Sequence, residues 1–542
     1  GYTSVVVHGD FASDGWEVGV SMSKAGDTWR ASVPLPFDAE VQYKFRIDDS
    51  QWLPDPENPS TVPDGNGGEN SVLQPQTCDD YTCEPDVIGT FDWRDSIIYF
   101  VFVDRFENGD PSNDGGVGVP MAADWQGGDW AGVRQKITDG YFTDLGVNIL
   151  WLSVPMDNTA QSGQGIGESY FYSGYHGYWP QNLDQTEEHF GSMAELQGLV
   201  SDAHTAGIKV ILDYAMNHVH KDSPVYAEHP DWFWPLNDGS VSNCTCGGGC
   251  SWDGDQGRRC WFTDYLPDFN FTNQAARDFS VSNAIQWIKD TGIDGFRLDA
   301  VKHIEDSWLL DLRSRVRTEI EAESGEHFYM VGETFTGQKD TIKYYVNPDM
   351  LDGQFDFPLR AVMIRSLLMR AQDTPMSALD GFLSENESFY GSGIMSTFVG
   401  NHDIPRPIHY AEDSPMWGSE WDDGKNRAWS NQPGVPGNRA PFERLANAFT
   451  VLFTTKGVPL VYYGDEVGMA GAGDPDNRRP MQWAKRRKDR RQPTTRPAEL
   501  GRYALVTRLM CSMMSCAPMC SRLASSPANN DARRRLASIR LE

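Results

Sequence analysis

The stretch GFRLDAVKH at residues 295–303 decides the fold. Its first half reads as one of the short, largely apolar strands of the chain. A polar cluster then follows at once, at Arg297, Asp299, Lys302 and His303. Arg297 and Asp299 are two residues apart, so on a strand their side chains point to one side. A fixed guanidinium beside a carboxylate keeps that carboxylate ionised. The same grammar, an apolar run with a polar end, recurs along the chain. The runs lie at 97–103, 147–154, 208–214, 295–300, 328–332, 353–357, 395–399 and 458–463. Amphipathic helical patterns such as 192–206 and 273–291 separate most of them. Eight such repeats predict a parallel sheet closed as a (β/α)8 barrel. A doubly wound open sheet is the rival. It is disfavoured because Asp213, Asn217, His218, Asp299, Glu333, His402 and Asp403 all fall at the C-terminal ends of runs, which a barrel gathers on one face.

Outward from the barrel, residues 1–77 alternate in short strands punctuated by Gly, Asp and Pro, and predict a small immunoglobulin-like β-sandwich. Residues 78–94 read as a linker and 95–484 as the barrel. The segment 219–270 after the third run is too long for a plain loop and predicts an inserted subdomain. From residue 485 to 542 there are 14 Lys and Arg against 4 Asp and Glu, in a chain of 542 residues whose net charge is −31. This basic tail departs from the rest and is expected to be irregular.

The acidic body argues against nucleic acid as a partner. No apolar run is long enough to span a membrane. Gly1 opens directly on strand-like sequence, so a signal peptide is expected to be missing or removed. Nine cysteines cluster at Cys78 and Cys83, at Cys244, Cys246, Cys250 and Cys260, and at Cys511, Cys516 and Cys520. The middle group lies in a Gly-rich stretch and reads as a disulfide-stapled loop. A structural zinc is the alternative, though the paired C-x2-C spacing is absent. The pattern implies an oxidising compartment and so a secreted, extracellular or periplasmic protein. Oligomeric state is not legible.

Four strand-end stretches carry chemistry: DYAMNH at 213–218, GFRLDAVKH at 295–303, GET at 332–334 and FVGNHD at 398–403. Opposed carboxylates at barrel strand ends can supply the separation of about 5–5.5 Å that retaining glycoside hydrolysis needs. With LPDFN at 266–270, the stretches resemble, in order, the sequence regions of the α-amylase superfamily, glycoside hydrolase family 13. The resemblance runs from about residue 95 to 483.

The resemblance implies retaining, endo-acting hydrolysis of α-1,4-glucosidic bonds in starch, glycogen and maltooligosaccharides. Asp299 would be the nucleophile, Glu333 the general acid/base and Asp403 the transition-state stabiliser. Arg297, His218, His402, Tyr175, Lys302, Asp474 and Arg478 would bind substrate, with Tyr175 stacking on the sugar. Asp213 reads as structural, holding Arg297. A cyclodextrin glucanotransferase, a 4-α-glucanotransferase or a neopullulanase-like cyclodextrin hydrolase is the nearest alternative. Hydrolysis is preferred because the further β domains usual in glucanotransferases are not seen. A non-catalytic glucan-binding protein is the alternative of another class, and a sucrose- or trehalose-directed relative a third.

The resemblance also implies structural calcium. One loop would use Asn108, Asp110, Asn113 and Asp114, completed by Gly127 and Asp129; the plain alternative is an Asx-rich turn. A second ion would sit on Asn217, Asp268 and the His303 carbonyl. The N-terminal strands resemble a family 48 carbohydrate-binding module, with Trp16, Lys44, Trp52 and Asn70 at its sugar contacts. A spacer that binds no sugar is the alternative.

Overall fold

The computed structural model describes residues 2–73 apart from 12–13, 26–27, 32, 34–39 and 57. It also describes residues 91–483 apart from 238 and 240, and residues 539–541. Cys78, Cys83, the tail cysteines and most of the linker and basic tail lie outside the described residues. The chain divides into two compact units, Gly1–Phe91 with Pro518–Glu542, and Asp92–Ala517.

The second unit is the barrel. Its strands are β1 (Ile98–Val101), β2 (Ile149–Leu152), β3 (Lys209–Tyr214), β4 (Gly295–Leu298), β5 (Tyr329–Gly332), β6 (Gly353–Gln354), β7 (Ser396–Phe398) and β8 (Val458–Tyr462). They form an eight-stranded sheet in the order β6-β5-β4-β3-β2-β1-β8-β7. Every pairing within it is parallel. A parallel bridge from Phe355 to Ser396 joins the two ends. Strands buried on both faces read as continuous apolar runs, which is why each stood out in the sequence. Inside, Phe100 of β1 stacks flat on Trp151 of β2 at 3.6 Å. Trp151 in turn meets Phe355, making an apolar floor.

Local signals fix the helices between strands. Ser192 and Glu195 form a capping box ahead of helix Met193–Thr205. Asn273 caps helix Gln274–Thr291, and Gly292 ends it with a left-handed φ of 70°. The segment after β3 leaves the barrel and returns beside its own departure point. His218 and Asp268 are bridged, as are Phe233 and Phe269. Disulfides Cys244–Cys250 and Cys246–Cys260 staple this excursion, so the zinc alternative falls.

In the first unit, strands Val5–Gly9, Val41–Ile47, Glu69–Leu73 and their neighbours make one antiparallel sheet. Strands Ser23–Ala25 and Thr28–Ala31 make a second, which Ile539–Leu541 extends. Trp29 and Ala31 of the second share one core with Val5, Val7 and Phe45 of the first, as a sandwich requires.

Candidate functional site

Asp299 and Glu333 each follow the last residue of their strand. The register pairs Leu298 with Gly332. The two acids therefore leave the sheet side by side, on strands about 4.8 Å apart. Asp403 arrives from the loop after β7.

Arg297 is the charged centre. It is almost wholly buried. Its Nη1 donates to Asp299 Oδ1 at 2.6 Å and to Asp213 Oδ1 at 2.8 Å. Asp213, expected to be structural, thus shares the guanidinium with Asp299. Arg297 also lies 5.2 Å from the Trp151 ring, directly above the apolar floor.

A polar chain continues across the barrel. Tyr178 Oη donates to Asp213 Oδ2 at 2.7 Å. It has one proton, so it must accept from His402 Nε2, 2.8 Å away. That leaves His402 Nδ1 as a buried lone pair with no partner. Burial, then the positive charges of Arg478 and Arg297, hold His402 well below the usual histidine range. Burial likewise lowers His218, whose Nε2 donates to the Tyr178 carbonyl at 2.8 Å. Both imidazoles favour the neutral form; His218 has both nitrogens in use, on the Tyr178 carbonyl and the Asn217 amide, so His402 Nδ1 is the ring nitrogen left without a partner.

Glu333 is 9 % exposed. Burial pushes its carboxyl up to about 8; Arg297 opposes this, and the charges of Asp299 and Asp403 add to it. Asp403 is also raised by burial, against Arg478 and Arg297. Arg478 Nη2 stands 3.4 Å from Asp403 and its Nη1 3.0 Å from Asp474.

Asp299, Asp403, His218, His402, Asp474 and Arg478 line a cavity of about 260 Å³. One sequence expectation needs correction. Tyr175 is fully buried, with Arg105 stacked 3.8 Å over its ring, so no sugar can lie on it. Tyr178, three residues on, lines the wall together with His176. Both were in view in YHGYW at 175–179 and were passed over. Lys302 lies within electrostatic range of Glu333. Its ammonium pairs with Asp253 at 2.6 Å. Phe262, Tyr265, Glu168 and Lys425 also line the cavity. No strand-end motif marks them, since all lie on loops.

The two expected calcium sites fit unequally. Asn217 Nδ2 donates to His218 Nδ1 at 3.3 Å, leaving Asn217 Oδ1 buried and unpartnered. Both oxygens of buried Asp268 accept no hydrogen bond, and burial drives that carboxyl far upward, with Glu305 adding to it. Three orphaned oxygens on adjoining backbone suit a hard cation. His303 keeps its Nδ1 on Gly257 O at 2.8 Å, so only its carbonyl could join them. In the other loop Asp129 is already spent. It caps helix Trp130–Thr138 through Gly132 N and accepts from Gly109 N and Asp110 N. Asp114 takes the Asn108 amide at 2.7 Å. Both groups crowd the site where a side chain on Gly127 would go. Asp110 accepts from Ser112 N. Asn113 Oδ1 is buried without a partner.

In the first unit, Trp16 and Trp52 are 38 % and 41 % exposed. Both border His8, whose Nδ1 bonds the Trp16 carbonyl at 3.0 Å and whose ring lies 4.8 Å from Trp52. Lys44 and Asn70 do not join them. Lys44 is buried on Asp64 at 2.5 Å, and Asn70 donates to Gln42 Oε1.

A closed parallel barrel with acids gathered at its strand ends defines a barrel enzyme with a paired-carboxylate centre, the arrangement that glycosidases and transglycosidases use. The family model described as "Alpha amylase, catalytic domain" matches residues 100–495. The chain belongs to that family, the α-amylase superfamily. A cyclomaltodextrin glucanotransferase of Bacillus sp. (strain 6.6.3) is 32% identical, over 71% of this chain and 51% of its own length. An α-amylase of Niallia circulans is 30% identical, over 71% of this chain and 69% of its own. The crystal structure of an α-amylase from Geobacillus thermoleovorans complexed with acarbose superposes with a TM-score of 0.59 and 29% identity, covering 80% of each chain. The chain spans about half the length of the glucanotransferases it matches. No helix among the described residues is long and apolar enough to cross a membrane.

Proposed function

We propose that this protein hydrolyses α-1,4-glucosidic bonds in starch-like glucans by double displacement. The observation that carries the reading is the pairing of Asp299, held on Arg297 at 2.6 Å, with Glu333, whose proton is retained up to about pH 8. Asp299 attacks the anomeric carbon while Glu333 gives its proton to the leaving glucosidic oxygen. The covalent glucosyl ester then yields to water, whose proton returns to Glu333. Asp403, with Arg478 behind it, faces the positive charge that develops on the sugar ring. His402 orients the ring hydroxyls, His218 holds the Tyr178 carbonyl in place, and Tyr178 supplies its apolar face.

Transglycosylation is the second reading, favoured by the glucanotransferase at 32% identity. It differs only in whether water or a sugar hydroxyl resolves the ester. Product analysis on starch, pullulan and a cyclodextrin tests both. Linear maltooligosaccharides from starch support hydrolysis, and cyclic products support transfer. No release of reducing ends by the native chain, with binding retained, leaves a glucan-binding protein instead.

Calcium belongs to this reading as a structural ion, held by Asn217, Asp268 and the His303 carbonyl. When bound it would tie the inserted subdomain to the barrel, and the chemistry itself needs no metal. The two disulfides support an oxidising, secreted or periplasmic setting.

A further inference from the structure

The cavity is bounded on one side by a feature that no catalytic motif accounts for. Between β2 and β3 a small hairpin, Gly163–Gln164 paired with Phe171–Tyr172, stands out from the barrel. Three residues near its tip, Gly165, Ile166 and Glu168, line the same cavity as Asp299 and Asp403. The hairpin is not loose. Glu168 accepts from Tyr172 Oη at 2.7 Å within the hairpin and from Trp429 Nε1 at 3.0 Å outside it. Its other oxygen faces Lys425 Nζ at 3.3 Å, and Lys425 also reaches the Ile166 carbonyl at 3.4 Å. Tyr170 stacks on Trp429 at 4.0 Å. At the base of the hairpin, Tyr265 Oη donates to Gln164 O at 2.7 Å. A loop after β2 is thus strapped at once to the segment after β7 and to the inserted subdomain.

Chemistry says which side this is. The acid/base protonates the departing oxygen, so the leaving part of the glucan lies toward Glu333. Among the described residues the cavity walls include Asp299 and Asp403 but not Glu333. The space shared by the two aspartates, Asp474, Arg478, Glu168 and Lys425 is read as the side that receives the part of the chain that stays on the enzyme. We infer that the Glu168–Lys425–Trp429 strap is the end wall of that side. It stops a glucan from threading through, so the enzyme takes non-reducing chain ends and releases short oligosaccharides. This departs from the endo action that the family resemblance implies, and it rests on the hydrolytic reading above. Glu168 and Lys425 are then the residues that set product length.

The test compares two maltoheptaosides that carry the same chromogenic leaving group. One has a free non-reducing end and the other has that end capped as a 4,6-acetal. The native chain is expected to cleave the free substrate faster than the capped one by about 100-fold or more. Equal rates overturn the strap while leaving hydrolysis intact; no cleavage of either removes the hydrolytic reading itself. Glu168→Ala and, separately, Lys425→Ala are each expected to shrink the ratio about 10-fold or more, by speeding the capped substrate. Lys425 is 44 % exposed, so its truncation spares the fold. A folded Lys425→Ala protein with the native ratio assigns the discrimination elsewhere and overturns the proposal.

Discussion

Glu333 must hold a proton at the pH where Asp299 must not. Burial holds the proton on Glu333, while Arg297 donates to Asp299 Oδ1 at 2.6 Å. Activity should fall as pH rises through about 8, where Glu333 loses its proton. A kcat/KM profile whose alkaline limb turns near the ordinary glutamate range would contradict the assignment. Glu333→Gln should cost about 100- to 10,000-fold in kcat. The same residue makes a stability forecast. Its folded pKa lies above its unfolded one, so between the ordinary glutamate range and about 8 the folded state binds the extra proton. Stability contributed by that proton fades as pH rises across this window. Glu333→Gln removes the loss, so the variant should melt higher than the native chain at pH 9 and gain less at pH 5. Next to the nucleophile, Ala300 sits at φ 49°, ψ 40°, a left-handed backbone that a β-branched side chain resists. Ala300→Val should cost about 1–3 kcal/mol in urea unfolding and reduce kcat, because Asp299 is re-aimed. Ala300→Gly should stay within about 1 kcal/mol of the native chain.

At the scale of elements, the inserted subdomain hangs on two devices, disulfides and the orphaned oxygens of Asn217 and Asp268. The Cys246–Cys260 bridge has a sequence separation of 14, which in the loop-entropy picture is worth about 3 kcal/mol. The stapled loop leads directly into Phe262 and Thr263 of the cavity wall. Thiol reduction should therefore raise KM at temperatures where the barrel stays folded, as read by circular dichroism. The calcium reading makes a crossed forecast. With calcium present, chelation should lower the native Tm, and Asp268→Asn should abolish that response. In chelator the variant should melt no lower than the native chain, since it relieves a buried unpartnered carboxylate. This is also the scale at which sequence legibility divides. The eight strands and the acids at their ends could be read because burial on both faces writes an unbroken apolar run and a polar residue interrupts it. Tyr178, Glu168 and Lys425 could not be singled out. Their positions depend on where loops of different lengths meet in space, which no local period encodes. Tyr175 was misjudged for a related reason, because four closely spaced aromatic residues at 175–179 cannot be told apart until Arg105 is seen covering one of them.

For the whole molecule, the question is what a β-sandwich contributes to a barrel that already holds every acid the chemistry needs. The first unit has its own core and leaves two indoles in the open beside His8. An exposed tryptophan is ordinary singly; here one indole packs beside His8 and the backbone of the other is bonded to the same imidazole, and an exposed indole face suits a glucose ring. The polar contacts first expected there are absent, because Lys44 and Asn70 are committed to Asp64 and Gln42. Any affinity must then come from stacking, which favours a polymer presenting many equivalent rings over a short soluble chain. The double variant Trp16→Ala, Trp52→Ala should accordingly bind granular starch about 10-fold more weakly in a pull-down, by loss of stacking at both rings. Its kcat/KM on a soluble maltoheptaoside should stay within about twofold of native, because exposed surface substitutions rarely move the fold by more than about 0.5 kcal/mol. Equal granule binding by native and variant proteins would mark the first unit as a spacer. A parallel fall on both substrates would mean that the indoles serve the barrel and not the polymer.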